Sequence, residues 1–348
     1  MYDSLFPIIR ILTISFGCFL LGMLWAPILI RLLRRLKMGK NIRDEKSAPI
    51  MAKLHAAKAG TPTMGGLVVW VTVAAVMLFL SFGCTVNDSS WCSWNFLSRA
   101  ETLLPLGALI AAALVGLLDD YLNIKKLGPK GGGLRVRHRL ISYSIIALGG
   151  AWWFYSKLGF NSVHIPFVGD VVLGWWYVLF FAFVLIATSN SVNVTDGLDG
   201  LVGGPLMAAF AGYGVIAFAQ GKADLAVFCA AIFGALMAFL WYNVPPASFF
   251  MGDTGAMSLG TVLGVVAMLT NQPLLLPIIG LPFVIESLSV LIQVASKKIR
   301  KKKVFQSAPI HHHLEAIGWT ESQIVFRIWI ISLFTTAVGV VLALIDKR

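Results

Sequence analysis

The chain has 348 residues, of which 58% are apolar and only 13% charged, against roughly 45–50% and about 25% in soluble domains. This excludes a water-soluble fold of that length, a disordered chain and a disulfide scaffold, and leaves the bilayer as the solvent. The net charge of +12, which in a soluble protein would point to nucleic acid, reads instead as loop charge of a membrane protein, with no nucleic-acid partner.

Apolar runs of about 20 residues, enough to cross ~30 Å of hydrocarbon, recur along the chain. They predict ten spans near residues 11–30, 64–83, 102–118, 140–156, 173–189, 201–219, 225–242, 255–271, 274–296 and 325–345. Residues 254–285 carry no charge but are too long for one helix, so Asn271-Gln272-Pro273 divides them. The expectation is an all-α polytopic membrane protein, one transmembrane domain over 1–348. Its opening Met-Tyr-Asp-Ser lacks a basic n-region, so the first run reads as a retained anchor.

Orientation follows from the basic residues. Loops 31–58, 119–139 and 297–327 hold 22 of the 28 Lys and Arg, and ten spans put all three loops on one face. The positive-inside rule makes that face cytoplasmic and leaves both termini on the periplasmic side. Cys84 and Cys92 share one short loop on the opposite face and can pair in an oxidising compartment.

Five carboxylates fall at cytoplasmic span ends: Asp119, Asp120, Asp196, Asp199 and Asp253. Ionisable groups at membrane level are costly and mark function more often than structure. Facing carboxylates repel unless a cation joins them, and a few hard oxygen ligands suit Mg²⁺ with a bound phosphate. Asn190, Asn193, Asp196 and Asp199 step by three, so a helical turn would line them along one face. Asp253 follows Phe249-Phe250-Met251-Gly252 at the start of a span, where helix N–H groups attract anions. Lys58 precedes a Gly/Pro-rich turn, and His311-His312-His313 lie in the last basic loop. Neighbouring imidazoles point apart and do not readily chelate one ion, but they suit phosphate or sugar oxygens. Glu286, inside the ninth span, is either a substrate-path group or a structural acid bonded to a neighbouring helix. Gly128-Pro129-Lys130-Gly131-Gly132-Gly133 lacks the ending of a Walker A loop. A transporter would place its polar groups near the midplane rather than at one face.

In order along the chain, Lys58–Gly66, Leu118–Tyr121, Asn190–Leu201, Gly252–Gly255 and Pro309–Glu315 resemble the motifs of the phospho-N-acetylmuramoyl-pentapeptide transferases of bacterial peptidoglycan synthesis. Against the related transferases of N-acetylglucosamine phosphate, the Gly-Thr-Pro-Thr-Met-Gly-Gly segment and the intact His triplet favour the muramoyl branch. The resemblance implies a cytoplasmic-face active-site cleft in the bacterial inner membrane. There, UDP-N-acetylmuramoyl-pentapeptide reacts with undecaprenyl phosphate to give UMP and lipid I, with Mg²⁺ and in a homodimer. It further implies that Asp253 holds Mg²⁺, that Asp119 and Asp120 prepare the lipid phosphate, and that Asn190, Asn193 and Asp196 line the cleft. His311, with His312 and His313, would face the diphosphate or sugar; Lys58, Asp199, Asn243 and Phe250 would hold the uridine. Attack by an aspartate and direct attack by the lipid phosphate both fit these residues.

Overall fold

The computed structural model describes residues 2–39, 58, 60–86, 91–128 and 132–346. Lys40, Arg43, Lys46, Lys53, Lys130, Lys347 and Arg348, which enter the charge count, lie outside the described residues, as does part of the Gly128–Gly133 run. The helices are α1 (Tyr2–Arg35), α2 (Leu67–Val86), α3 (Leu103–Ile124), α4 (Val136–Ser156), α5 (Trp176–Thr195), α6 (Gly203–Ala219), α7 (Ala223–Asn243), α8 (Gly252–Leu269), α9 (Leu276–Ile279), α10 (Leu281–Ile299), α11 (Ile310–Ala316) and α12 (Glu321–Ile345).

Every expected span coincides with a helix, but fewer are built to cross a bilayer unaided. Among the described residues, seven helices are long and apolar enough, or eight if the bent pair Pro273–Ile279 and Leu281–Ile299 is one span. That pair turns through 84°. Of the other two, α4 opens with Arg137, His138 and Arg139, and α6 has 17 residues. The all-α expectation holds for the spans, and one short element between two of them is not helical. An antiparallel hairpin, β1 (Ser162–Ile165) paired with β2 (Gly169–Val172), joins α4 to α5. Its β-branched Val163, Ile165, Val171 and Val172 flank a turn closed at Gly169, whose φ is +111°.

The bundle is organised around α8, which packs chiefly against α3 and α5, while α7 packs against α1 and α6. Every residue of α8 is buried except Asp253. Lipid tails are as apolar as leucine, so close backbone approach rather than hydrophobic burial holds such helices together. Gly260 and Gly264 provide it along the α5 seam; a Cβ on Gly260 would lie 2.8 Å from Ser189 Cα. Two cysteines, Cys18 and Cys229, are free and buried, whereas Cys84 in the last turn of α2 forms a disulfide with Cys92 beyond it.

The hairpin is strapped to the end of α12 by one imidazole. His164 Nδ1 lies 2.8 Å from Asp170 Oδ1 and Nε2 lies 2.6 Å from Asp346 Oδ2, and Asp346 Oδ1 accepts from Phe167 N–H at 2.8 Å. Partial burial pulls the His164 pKa down, but the hydrogen bonds to Asp346 and Asp170 and their charges outweigh it, and the net shift is upward from 6.5. A raised imidazole contributes stability that is complete below 6.5 and is lost as pH climbs through the raised value. Thermal unfolding of purified protein in detergent micelles, followed on both sides of that window, should show this loss in the native chain. His164→Gln should flatten it; an unchanged pH slope in the variant would remove the strap from the stability account.

Candidate active site

The site begins with an unmet backbone requirement. The first N–H groups of a helix have no intrahelical acceptor, and a start buried in protein has no water to replace one. At the start of α8 the partner is a side chain from α3: Asp253 N–H donates to Asp120 Oδ1 and Thr254 N–H to Asp120 Oδ2, both at 3.1 Å. Gly252 N–H donates to Asp196 Oδ2 at 3.2 Å. Gly252 has φ +74°, a left-handed turn that glycine adopts without strain. The turn before α2 closes the other side. Phe250 N–H donates to Pro62 C=O at 2.8 Å, Gly65 N–H to Phe250 C=O at 2.7 Å and Gly66 N–H to Met251 C=O at 2.9 Å. A Cβ on Gly66 would collide with Gly255 Cα, so the contact requires glycine there.

Asp253 is thereby held at the single opening of α8. Its Oδ1 accepts from Asn193 Nδ2 at 2.7 Å, and Arg139 of α4 approaches its Oδ2 at 3.3 Å. The same guanidinium nitrogen lies 3.7 Å from Asp119 Oδ2, while Asp119 Oδ1 accepts from Leu134 N–H. Asp119, Asp120, Asn193, Asp196 and Asp253 therefore form one connected group around α8.

Asp199 does not join it. Helix α5 ends at Thr195, Asp196 occupies the C-cap, and turns carry the chain away, so the three-residue step does not line all four polar residues on one face. Asp199 belongs to a second group. Its Oδ1 lies 2.7 Å from Lys58 Nζ, and Glu321 Oε1 meets both that ammonium and the Asp199 N–H. Asp199 Oδ2 accepts from Ala247 N–H at 3.1 Å. Asn243 is buried here, accepting from Gly200 N–H at 3.0 Å and donating to Phe249 C=O at 2.9 Å. Phe249 is fully buried against Phe239 and Tyr242, so of the two phenylalanines only Phe250 is partly exposed. A cavity of about 230 Å³ lined by Arg34, Gly60, Thr61, Pro62, Ala247 and Ser248 opens next to the Phe250–Pro62 pairing.

The remaining candidates divide. His311 is fully buried, with Nδ1 2.9 Å from Glu286 Oε2, and its ring meets His312 edge-on at 4.0 Å between centroids. His312 Nδ1 lies 2.7 Å from Glu315 Oε2. His313 packs on Phe305 and its Nδ1 accepts from Gln306 N–H. Asn190 donates its Nδ2 to Ile186 C=O of its own helix. Sequence reasoning missed Arg139, which counted only as loop charge, and Glu321, which stands before the expected last span. The Thr320…Gln323 capping box marks the true start of α12 and was the available signal for Glu321.

In this largely helical membrane scaffold, carboxylates, an arginine and a carboxamide gather at one helix N-terminus, an arrangement suited to phosphorylated substrates. In agreement, the family profile of glycosyl transferase family 4 matches residues 102–271, and signature 1 of the phospho-N-acetylmuramoyl-pentapeptide transferases matches 58–68. The chain is 41% identical over 324 residues to the phospho-N-acetylmuramoyl-pentapeptide-transferases of Geobacillus sp. (strain WCH70) and Geobacillus thermodenitrificans (strain NG80-2), covering 92% of this chain and 94% of each relative. It is 40% identical over 325 residues to that of Bacillus anthracis. The chain belongs to the phospho-N-acetylmuramoyl-pentapeptide transferase family.

If Asp120 anchors α8, Asp120→Ala strands two buried N–H groups. It should cost about 1–2 kcal/mol, read as a lowered melting temperature in detergent before any assay of turnover. An unchanged melting temperature would show that α8 does not depend on this carboxylate.

Proposed function

We propose that this protein transfers phospho-N-acetylmuramoyl-pentapeptide from its UDP-sugar to undecaprenyl phosphate at the cytoplasmic face of the bacterial inner membrane, releasing UMP and lipid I. The observation that carries the reading is the single opening of α8 at Asp253, ringed by Asp119, Asn193 and Arg139. Phosphoryl transfer needs positioning and charge stabilisation more than covalent chemistry, and that ring is built for both. The ten-span topology, with periplasmic termini and a cytoplasmic cleft, is supported by the basic asymmetry. It is supported again by the Cys84–Cys92 disulfide, which lies one helix length, about 30 Å, from the Gly65–Gly66 contact with the site. The homodimer rests on the family alone.

Mg²⁺ fits the donor set. Two carboxylates that already share one guanidinium are suited to a hard cation, and Mg²⁺ commonly takes one or two carboxylates plus substrate phosphates. Asp253 would hold the ion, which when bound neutralises charge on the diphosphate. Asn193 orients the Asp253 carboxylate, and Arg139 offsets the repulsion between Asp253 and Asp119. Asp119 faces the lipid phosphate, and Asp120 serves the same end by fixing the α8 terminus. Asn190 and Asp196 complete the cleft wall. Lys58, Asp199 and Asn243 frame the uridine side, where Phe250 stacks on uracil, and His311, His312 and His313 flank the diphosphate and sugar.

Purified protein given UDP-N-acetylmuramoyl-pentapeptide, undecaprenyl phosphate and Mg²⁺ should release UMP, and Asp253→Asn should lower turnover at least ~10²-fold. No UMP release from the native chain would reject the reading. Stacking on a base is worth ~1–3 kcal/mol, so Phe250→Ala should weaken UDP-sugar binding by roughly 5- to 150-fold in isothermal titration. Native affinity in that variant would move the uridine site elsewhere.

A further inference from the structure

Glu286 has no place in the scheme above, although an acid inside a membrane helix is expensive to keep. It lies on α10, is 1% exposed, and among the described residues its one ion-pair partner is His311. His311 itself is 0% exposed. Two atoms of the pair, Glu286 Oε1 and His311 Nε2, are buried without a hydrogen-bond partner among the described residues. The Nε2 edge rests on Gly197, where a Cβ would collide with it. Gly197 follows Asp196 directly, so the imidazole is seated against the turn that runs from the α8 anchor to Asp199.

Deepening the proposed function, and resting on it for the substrate, we infer that Glu286 is the positioning residue for His311, turning a protonated Nε2 toward the anionic diphosphate. A net negative charge in so enclosed a place is costly, and a neutral pair has two protons to place. One lies between Nδ1 and Glu286 Oε2. The other has two places available, Oε1 or Nε2. On Oε1 it would have no acceptor, whereas on Nε2 it can be given as a hydrogen bond to a phosphate oxygen. The donor left unmet in the free protein is then met when the anion arrives. A carboxylate on the far nitrogen also fixes ring orientation, as it does for histidines in other catalytic and metal sites. Gly197 leaves the space that this ring occupies.

The test is a double-mutant cycle with an independent structural readout. Glu286→Leu keeps bulk but removes the hydrogen bond; Glu286→Gln keeps a hydrogen-bonding partner for Nδ1. In the UMP-release assay Glu286→Leu should lower kcat by about 10- to 100-fold with KM for the UDP-sugar nearly unchanged, and Glu286→Gln should restore part of the loss. Added to His311→Gln, Glu286→Leu should cost less than about twofold more, since it acts through that ring. Costs that multiply in the double variant, or a Glu286→Leu enzyme with native kcat, would overturn the inference. In parallel, ¹⁵N spectra of histidine-labelled protein should report a protonated His311 Nε2 in the native chain and a changed signal in Glu286→Leu. An unprotonated Nε2 in the native chain would overturn it as well. The spectra need no turnover, so a failure of the proposed activity and a failure of the dyad are separable.

Discussion

A helix that begins inside a membrane protein needs acceptors for its first N–H groups, and here one carboxylate from a neighbouring helix meets two of them. Asp120 lies across the α3–α8 seam and accepts from both Asp253 and Thr254. A negative group at that end also complements the helix dipole. The same contact fixes where the next carboxylate stands, so the backbone requirement of α8 and the position of Asp253 are one constraint. Around it, Gly66 brings the α2 turn against Gly255, and Asp196 ties the end of α5 to Gly252.

The electrostatic arrangement follows from that geometry. Two groups of acids share the face, and each encloses a cation: Arg139 between Asp119 and Asp253, Lys58 between Asp199 and Glu321. Like charges at this spacing would otherwise expel one another or take up protons. Arginine, always charged and able to reach two carboxylates, suits the more open group. Lysine, a compact charge, suits the group in which Asp199 is buried. The histidines introduce a third pairing, with Glu286 and Glu315 as partners.

Much of this was legible in the sequence, for reasons that differ by element. Hydropathy located a helix at each expected span because apolar length is what the bilayer demands. Asp119, Asp120, Asn193, Asp196 and Asp253 could be grouped because each stands at a span end on one inferred face. The three-residue step misled for Asp199, since it implies one face only while the helix lasts and α5 stops at Thr195, whereas the motif resemblance had set Asp199 with Lys58 and Asn243, where the structure places it. The hairpin at 162–172 escaped notice because four-residue strands produce little periodicity. Arg139 and Glu321 were hidden for another reason: Arg139 meets Asp253 across 114 residues of chain and Glu321 meets Lys58 across 263. No local pattern carries such a distance, and the choice of cation for each acid is a tertiary fact.

The enclosure of α8 also bears on how such a protein can change over generations. A helix buried along its whole length, with one side chain at an opening, cannot accept a bulkier residue without displacing that side chain. Drift along α8 is therefore filtered twice, once for folding and once for turnover. The exposed faces meet no such filter: Leu12, Leu24, Phe183 and Leu333 all point outward. Divergence among relatives should accumulate on those outer surfaces and in the connecting segments, leaving the axis of the molecule as its slowest-evolving part.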